Sequence, residues 1–495
     1  MDLFYKSTRN SDLKVTASQA VLTGLAPDGG LFVPSCIPCL DVPLEKLGGM
    51  TYQETAFAVM KLFFTDFTEE ELRSCVAKAY DEKFDTEEIA PLAKVDDVYY
   101  LELFHGATIA FKDMALSILP HLMTTSAKKN HVEKEIVILA ATSGDTGKAA
   151  MAGFADVEGT RIIVFYPKNG VSRVQELQMV TQKGNNVDVV AIHGNFDQAQ
   201  SGVKAMFEDQ KLAGELAEKG YQFSSANSIN IGRLVPQIVY YVYAYAKLLE
   251  NEEISPGEEI NVVVPTGNFG NILAAYYAKQ MGVPFGKLIC ASNENRVLYD
   301  FFQTGIYDKN RKFILTTSPS MDILISSNLE RLLYLVSGED AEKTKELMEQ
   351  LKKSGSYQIT EAMKERLADF GAGFADEAET AESIREVYGR TGYVMDTHTA
   401  VAAHVCESYR EQTGDGRKCL IASTASPYKF AKSVLTAIDP VYEKEEELDL
   451  LQKLPGISGR VTPQAIRDIL DAKVLHATEC DADQMKETVK KILKV

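Results

Sequence analysis

One lysine of the sequence lies where its amine could become reactive. Lys112 follows a turn of small residues and begins an apolar run that is typical of a helix, with Phe111 beside it. Burial lowers the pKa of a lysine, and the neutral amine is the form that makes Schiff bases. The pattern therefore indicates a nucleophilic lysine, and the alternative is a solvated lysine beside Asp113.

Two glycine-rich loops could bind anions. Each follows a strand-like apolar run and precedes a helix-like run. Backbone N–H groups in such a loop point toward one place at the positive end of a helix dipole, which suits a carboxylate or a phosphate. Two loops favour a ligand with two anionic ends, or two ligands side by side. The loops are Thr142-Ser143-Gly144-Asp145-Thr146-Gly147 and Thr266-Gly267-Asn268-Phe269-Gly270-Asn271.

The first loop also invites comparison with a nucleotide-binding P-loop, G-x-x-x-x-G-K-[ST]. Thr142 stands where the first glycine is required, and Ala149 stands where the hydroxyl residue after Lys148 should be. Without that hydroxyl a magnesium ion loses one of its usual ligands. The sequence therefore disfavours a P-loop.

The elements that position these residues follow from the hydrophobic pattern. Short, continuous apolar runs alternate with helical segments, which predicts an α/β fold with parallel strands that are covered on both faces. The runs are 98–103, 135–142, 161–167, 187–194, 260–267, 287–292 and 418–423. We expect a mostly helical N-terminal region at 1–95, a core at 96–440 with a smaller lobe at about 130–225, a charged helical surface insertion at about 339–390, and a C-terminal helical segment at 441–495.

Composition limits the classes of function. The chain has 495 residues, and 52 Lys and Arg against 70 Asp and Glu give a net charge of −18. This excess argues against a nucleic acid or an anionic membrane as partner. No apolar run is long enough to span a membrane, and a signal-peptide layout is absent from the start of the sequence, so we expect a cytoplasmic protein. The histidine and cysteine spacings predict no metal site.

Seven motifs, in this order along most of the chain, resemble those of the threonine synthases, a branch of the fold-type II pyridoxal-phosphate (PLP) enzymes. They are GLAPDGGLFVP (24–34), FHGATIAFKD (104–113), ATSGDTGKAA (141–150), SSANSINIGRLVPQ (224–237), PTGNFGN (265–271), DTHTAV (396–401) and STASPYKF (423–430). The sequence departs from the expected motifs at Ala107 and Ser426, and also at Asn10, the last residue of the segment STRN (7–10) that shares the resemblance.

The resemblance implies a fold, a cofactor and a reaction. The fold would have two α/β lobes with open, mostly parallel twisted sheets and PLP between them, plus the helical N-terminal region. The reaction would be a β,γ-elimination and replacement that converts O-phospho-L-homoserine and water to L-threonine and phosphate, in a monomer or a homodimer. Lys112 would be both the Schiff-base lysine and the general base.

The resemblance also implies the residues of the site. Cofactor-binding residues would be Lys112, Asp145, Gly267, Asn268, Phe269, Gly270, Asn271 and Thr424. Substrate-binding residues would be Thr142, Ser143, Gly144, Thr146, Asn230 and Arg233. Further candidate cations for the substrate phosphate are Lys6, Arg9 and Lys168. For His105 we expect a hydrogen-bonded structural role, and for His398 a place in the wall of the site.

Two alternatives stay open. One is another fold-type II PLP lyase, such as a serine or threonine dehydratase, or a cysteine synthase; the NSIN and GNFGN motifs and the N-terminal region disfavour it. The other is a non-catalytic, threonine-synthase-like binding protein. The presence of Lys112, the SGDTG loop and Thr424 disfavours that reading.

Overall fold

The computed structural model describes residues 3–142 and 144–495. The strands, numbered in chain order, are β1 (Tyr5–Ser7), β2 (Asn10–Val15), β3 (Phe32–Pro34), β4 (Leu92–Val95), β5 (Val98–Glu102), β6 (Glu135–Ala141), β7 (Thr160–Pro167), β8 (Val187–His193), β9 (Tyr221–Ser224), β10 (Ile260–Pro265), β11 (Phe285–Ser292), β12 (Ile306–Asp308), β13 (Ser356–Gln358), β14 (Phe370–Phe374), β15 (Cys419–Ser423) and β16 (Thr478–Asp481).

The α-helices are α1 (Ala17–Thr23), α2 (Leu44–Gly48), α3 (Tyr52–Met60), α4 (Glu69–Ala79), α5 (Asp113–Leu116), α6 (Leu119–Lys129), α7 (Asp145–Phe154), α8 (Arg173–Val180), α9 (Phe196–Glu208), α10 (Gln210–Glu218), α11 (Ile231–Glu250), α12 (Gly270–Gln280), α13 (Val297–Thr304), α14 (Leu329–Val336), α15 (Ala341–Ser354), α16 (Glu361–Glu365), α17 (Glu377–Thr391), α18 (Thr397–Thr413), α19 (Ala431–Ile438), α20 (Glu447–Ser458), α21 (Gln464–Leu470) and α22 (Met485–Leu493). Short 3₁₀ helices span Pro319–Met321, Pro427–Phe430, Pro440–Lys444 and Ala482–Gln484.

Two parallel sheets organise the fold. The larger has six strands in the order β14-β11-β10-β15-β5-β4, and among its described strands β4 alone runs antiparallel to its neighbour. The smaller has five parallel strands in the order β16-β8-β7-β6-β9. The predicted α/β class with two mostly parallel sheets is confirmed.

The apolar runs are continuous because both faces of the central strands are buried. Along β10, Val262 and Val264 pack into one hydrophobic core, whereas Val263 packs into a second core on the other face. Strands covered on both faces need no polar alternation. Helix α11 is buried along most of its length, and α2 and α3 pack against it.

The N-terminal region differs in part from the expected helical arrangement. Its helices α3 and α4 begin at capping boxes, in which Thr51 and Thr68 accept from the N–H groups of Glu54 and Glu71. The strands β2-β1-β3, however, form an antiparallel sheet of their own. Two of the three strands have only three residues, which is too short for a periodic pattern to indicate them.

Two other segments also differ from the sequence-based expectation. The stretch 339–390, expected as a helical surface insertion, supplies β14, which pairs with β11 in the larger sheet. The segment 441–495, expected to be helical, supplies β16, which pairs with β8 in the smaller sheet. The sequence of β14 is FGAGF, and glycines weaken a strand signal; β16 reads TECD and has one buried residue.

The packing of α7 against α5 predicts that alanine substitutions at two glycines change the stability of the protein in opposite directions. A Cβ at Gly153 in α7 would lie 2.1 Å from the Leu116 carbonyl oxygen, whereas one at Gly389 in α17 would meet nothing within 4 Å. We expect Gly153→Ala to lower the free energy of unfolding by about 1–3 kcal/mol through overpacking. Gly389→Ala should raise it by up to about 1 kcal/mol through helix propensity. Urea unfolding measures both, and equal effects would contradict the packing described.

Candidate active site

The candidate site lies at the carboxyl ends of three neighbouring strands of the larger sheet. Strand β5 leads to Lys112, β15 leads directly to Thr424, and β10 leads to the loop 267–271. Because the strands are parallel, their carboxyl ends share one edge, which is where open α/β sheets bind ligands. The Phe111 N–H donates to the Thr424 carbonyl at 2.8 Å, which ties the lysine loop to the end of β15.

Lys112 is largely buried at this edge. Its side chain is 12% exposed, and its Nζ lies 3.7 Å from Asp145 Oδ2. Nζ also donates to Ser320 Oγ at 3.1 Å. Burial lowers the pKa of Lys112 to about 8; the charge of Asp145 opposes this shift, and Lys429 and Arg233 add to it. The amine is therefore partly neutral near physiological pH.

Asp145 brings the smaller sheet to the lysine. It begins α7, directly after β6, and its Oδ2 accepts from Ser320 Oγ at 3.2 Å. Its Oδ1 accepts from Gln175 Nε2 at 3.1 Å and pairs with Lys429 Nζ at 3.1 Å. Burial favours the neutral acid, but Lys429, Lys112 and the Gln175 hydrogen bond together hold the pKa of Asp145 well below its usual range. Asp145 is therefore an anion that bridges the two lobes.

The second glycine loop ends at the N-terminus of α12. The first helical backbone bond runs from Leu273 N to Phe269 O, so the N–H groups of Gly270 and Asn271 precede the intrahelical ladder. Phe269 has a left-handed backbone (φ 65°) and a buried ring that packs against two other phenylalanines. Only its backbone can therefore face an anion. The Asn268 carbonyl accepts from Asn328, which fixes the loop.

Asn271 carries a buried donor with no partner. Its Oδ1 accepts hydrogen bonds from the hydroxyls of Tyr240 and Tyr241. Its Nδ2 is buried and finds no acceptor among the described residues. Buried donors are nearly always satisfied, so this one indicates a ligand atom as its partner. The two tyrosines of α11 thus orient Asn271 toward the ligand.

The first glycine loop is held by Thr142. Its hydroxyl accepts from the N–H groups of Gly144 and Gly147, both at 3.0 Å. Gly144 has φ +139°, which side-chain-bearing residues rarely adopt, and a Cβ there would also overlap Gln175. Thr146 lies in the first turn of α7, where N–H groups point toward an anion. Ser143 lies outside the described residues.

Arg233 is a buried cation that pairs with no carboxylate of the described residues. It is 3% exposed, and its Nη1 donates to the Ala226 carbonyl at 3.0 Å. Its Nε has no acceptor among the described residues. Burial alone lowers the pKa of Arg233 to about 10. Asn230 is engaged already: its Oδ1 accepts from Gly232 N, and its Nδ2 donates to the Val21 carbonyl in the N-terminal region.

The other candidate cations form ion pairs. Arg9 makes two bonds to Glu330, at 2.8 and 2.7 Å. Lys168 lies 2.6 Å from Glu479, and Lys6 lies 3.4 Å from Glu339. Among the four candidates, Arg233 is the one whose charge no carboxylate of the described residues neutralises.

The two histidines considered in the sequence analysis, His105 and His398, are both hydrogen-bonded. His105 contacts Asp85 at 2.6 Å and Glu102 at 3.0 Å. Burial disfavours its charged form, but these two bonds raise the pKa of His105 to about 9. His398 lies 2.7 Å from Asp396 through Nδ1 and accepts from the Ser320 N–H at its Nε2. His398 therefore positions the segment that carries Ser320, a contact absent from the sequence-based expectation.

Sequence reasoning missed Lys429 and Ser320. Lys429 lies within the STASPYKF motif, but most lysines are solvated and nothing local marks this one as buried. Ser320 belongs to a stretch without a recognised motif. The motif could have drawn attention to Lys429, whereas only the tertiary structure brings Ser320 to Lys112.

A buried lysine amine beside the N-terminus of α7, at a sheet edge that also carries the loop before α12, is the arrangement expected of PLP-dependent enzymes of this fold. A family profile described as "Pyridoxal-phosphate dependent enzyme" matches residues 84–424, and one described as "Threonine synthase N terminus" matches residues 4–80. Threonine synthase of Saccharomyces cerevisiae is 35% identical over 480 residues, which cover 90% of this chain and 91% of that protein. The chain belongs to the threonine synthase family of PLP-dependent enzymes.

The structure agrees with this relationship. The solved structure of PLP-bound threonine synthase from Brucella melitensis has a TM-score of 0.88 and 34% identity, and the match covers 100% of both chains. Threonine synthase-like 1 of Homo sapiens is 42% identical over 434 residues, which cover 85% of this chain. The matched part spans 58% of the length of that human protein.

The residues present fit PLP. The cofactor needs an amine for its aldehyde, N–H donors for its phosphate and a polar partner for its ring nitrogen. Lys112 provides a partly neutral amine, and the unpaired Asn271 Nδ2 lies in the first turn of α12, where a phosphate would be held. Thr424 follows β15 at the same edge of the sheet.

Residues 3–142 and 144–495 contain no cluster of metal-ligating side chains, and none of their helices is long and apolar enough to cross a membrane.

The environment of Lys112 predicts its reactivity. In the full chain freed of cofactor, trace acetylation of Lys112 should be half-maximal near pH 8, because burial favours the neutral amine. Ordinary lysines titrate near about 10.4. Mass spectrometry of the Lys112 peptide measures the profile, with solvent-exposed lysines of the same digest as reference. A midpoint equal to that of the exposed lysines would contradict the buried setting.

Proposed function

We propose that this chain is a cytoplasmic threonine synthase that converts O-phospho-L-homoserine and water to L-threonine and phosphate. The observation that carries the proposal is the buried, partly neutral amine of Lys112 opposite Asp145, where loops of both sheets meet. The sequence identity to threonine synthases over nine tenths of the chain supports the choice of substrate.

We propose that the cofactor lies along the edge of the larger sheet. The N–H groups at the start of α12 and the Nδ2 of Asn271 would hold its phosphate, with Gly267, Asn268, Phe269 and Gly270 contributing backbone. Lys112 would bind its aldehyde carbon. Thr424 would donate to its ring nitrogen, and Asp145 would lie near the 3′-oxygen attached to the ring. A neutral hydroxyl at the nitrogen favours elimination and replacement over transamination.

The substrate has two anionic ends, and two sites suit them. The N-terminus of α7, with Thr142, Ser143, Gly144 and Thr146, would hold the carboxylate. Arg233 would hold the substrate phosphate, because a guanidinium binds oxyanions through two parallel bonds. Asn230 would act indirectly, since it caps the helix that carries Arg233.

Lys112 would move the protons. Bound PLP supplies an electron sink that makes protons near the substrate amine removable. The Lys112 amine would then take the proton from Cα and move a proton at Cβ as phosphate leaves Cγ. Cγ would be reprotonated, and water would add at Cβ before a proton returns to Cα. Ser320 would keep the amine in place, and its hydroxyl would link the amine to Asp145. The enzyme would act as a monomer or a homodimer.

Replacing the lysine tests the reaction. We expect purified protein to release phosphate from O-phospho-L-homoserine and to form L-threonine, and Lys112→Ala to lose turnover because the general base and the cofactor link are gone. Lys128→Ala, at an exposed lysine of α6, is the matched control and should retain activity. Phosphate and threonine assays measure the result. A 2-oxo acid from serine or threonine would favour a dehydratase, and PLP binding without turnover of any of these substrates would favour a binding protein.

Replacing the arginine tests the substrate phosphate site. A hydrogen bond to a charged group contributes about 1.5–3 kcal/mol, so Arg233→Met should raise KM for O-phospho-L-homoserine about ten- to hundredfold. The unfolding free energy should fall by no more than about 1 kcal/mol, because the lost charge is buried and unpaired. Steady-state kinetics and urea unfolding measure the two effects.

Arg9→Met is the matched control. It should leave KM unchanged and destabilise the fold, because it leaves the buried Glu330 carboxylate without its cation. If Arg233→Met left KM unchanged and Arg9→Met raised it, Arg233 would not be the phosphate ligand.

A further inference from the structure

We propose that Lys429 is a positioning residue: its ammonium neutralises Asp145, so that Lys112 faces a net-neutral pair and its amine gives up its proton more readily. This inference rests on the proposed role of Lys112 as the cofactor lysine. It assigns a task to a lysine that the proposed reaction does not otherwise use.

Lys429 is a fully buried ammonium with two short contacts. Its side chain is 0% exposed, and its Nζ lies 3.1 Å from Asp145 Oδ1. It also donates to the Thr108 carbonyl at 2.9 Å. A buried charge is tolerated when it is paired and hydrogen-bonded, and Lys429 meets both conditions.

Lys112, the second lysine beside Asp145, makes weaker contacts with the carboxylate than Lys429 does. Lys112 Nζ lies 3.7 Å from the other carboxylate oxygen, and its hydrogen-bond acceptor is the neutral Ser320 hydroxyl. Two ammonium groups and one carboxylate would leave a net positive charge in a buried space. The proton most easily lost is the one on the amine with the weaker contacts, and that amine is Lys112.

Other charged groups also lie around the pair. Arg233 adds positive charge near Lys112 and, like burial and Lys429, lowers the pKa of Lys112, while Asp145 alone opposes them. Asp113 also lies near Lys429, but its carboxylate accepts from the N–H and the hydroxyl of Thr108 at 2.8 and 2.6 Å. Burial lowers the pKa of Lys148, and the charge of Lys429 adds to that shift.

The competing explanation is that Lys429 merely anchors the loop that contains Thr108. Both roles predict that loss of Lys429 disturbs the site. Only charge neutralisation predicts that the effect passes through the carboxylate of Asp145, and that it moves the titration of Lys112 in a fixed direction.

The experiment measures the pH profile of Lys112 acetylation in the full chain freed of cofactor. In Lys429→Met the uncompensated carboxylate should raise the midpoint by about one unit or more, as an opposite charge within about 4–6 Å does. This lowers the labelling rate below pH 8 about tenfold. The rate at which added PLP develops its visible band should fall in parallel. Lys429→Arg keeps the charge and should stay close to the wild-type midpoint.

The double variant separates charge from structure. Asp145→Asn should lower the midpoint, because the attraction is lost and Lys429 remains charged. Lys429→Met with Asp145→Asn restores a neutral pair and should return toward the wild-type midpoint. An unchanged or lowered midpoint in Lys429→Met, or a double variant that shifts as far upward as Lys429→Met, would overturn the proposal.

The labelling requires no turnover. A wild-type protein that failed to release phosphate would contradict the proposed function and leave the titration readable. If Lys429→Met did not fold, the Arg variant, Asp145→Asn and the double variant would still test the direction of the shift.

Discussion

The ionised carboxylate of Asp145 is the interaction on which the site depends. It belongs to the smaller sheet through α7, and it contacts Lys429, Lys112 and Ser320 of the larger lobe. A buried carboxylate must be paired with a nearby cation. The contacts of Asp145 therefore both hold the two lobes together and determine the net charge around Lys112. The reactive amine is held at the place where the lobes meet because its partner comes from the other sheet.

A second set of contacts supports the anion-binding end of the site. Helix α11 is buried against the N-terminal helices, and its tyrosines hold the Asn271 side chain at the start of α12. The same helix carries Arg233 near its own N-terminus, where Asn230 caps it and joins it to the N-terminal region. The N-terminal region therefore contacts the helix that carries Arg233 and holds Asn271 in place.

The fold was predictable where a local pattern carried the information. Continuous apolar runs predicted the buried parallel strands, such as β10, whose valines pack into cores on both faces of the sheet. Strands β14 and β16 were not predictable, because glycine-rich or mostly exposed segments become strands when an existing sheet edge accepts their hydrogen bonds. Their strand state is therefore decided by distant partners.

For the site, the sequence by itself determined the chemical groups: an amine after a small-residue turn, and two glycine loops at helix starts. It also favoured Arg233 over three other candidate cations, but it could not show which of them carry an uncompensated charge. Only the tertiary structure decided that Arg9, Lys6 and Lys168 are neutralised by carboxylates and that Arg233 pairs with none of the described residues. It alone brought Lys429 to Asp145 and Ser320 to Lys112, because burial and charge compensation arise between residues hundreds of positions apart in the chain.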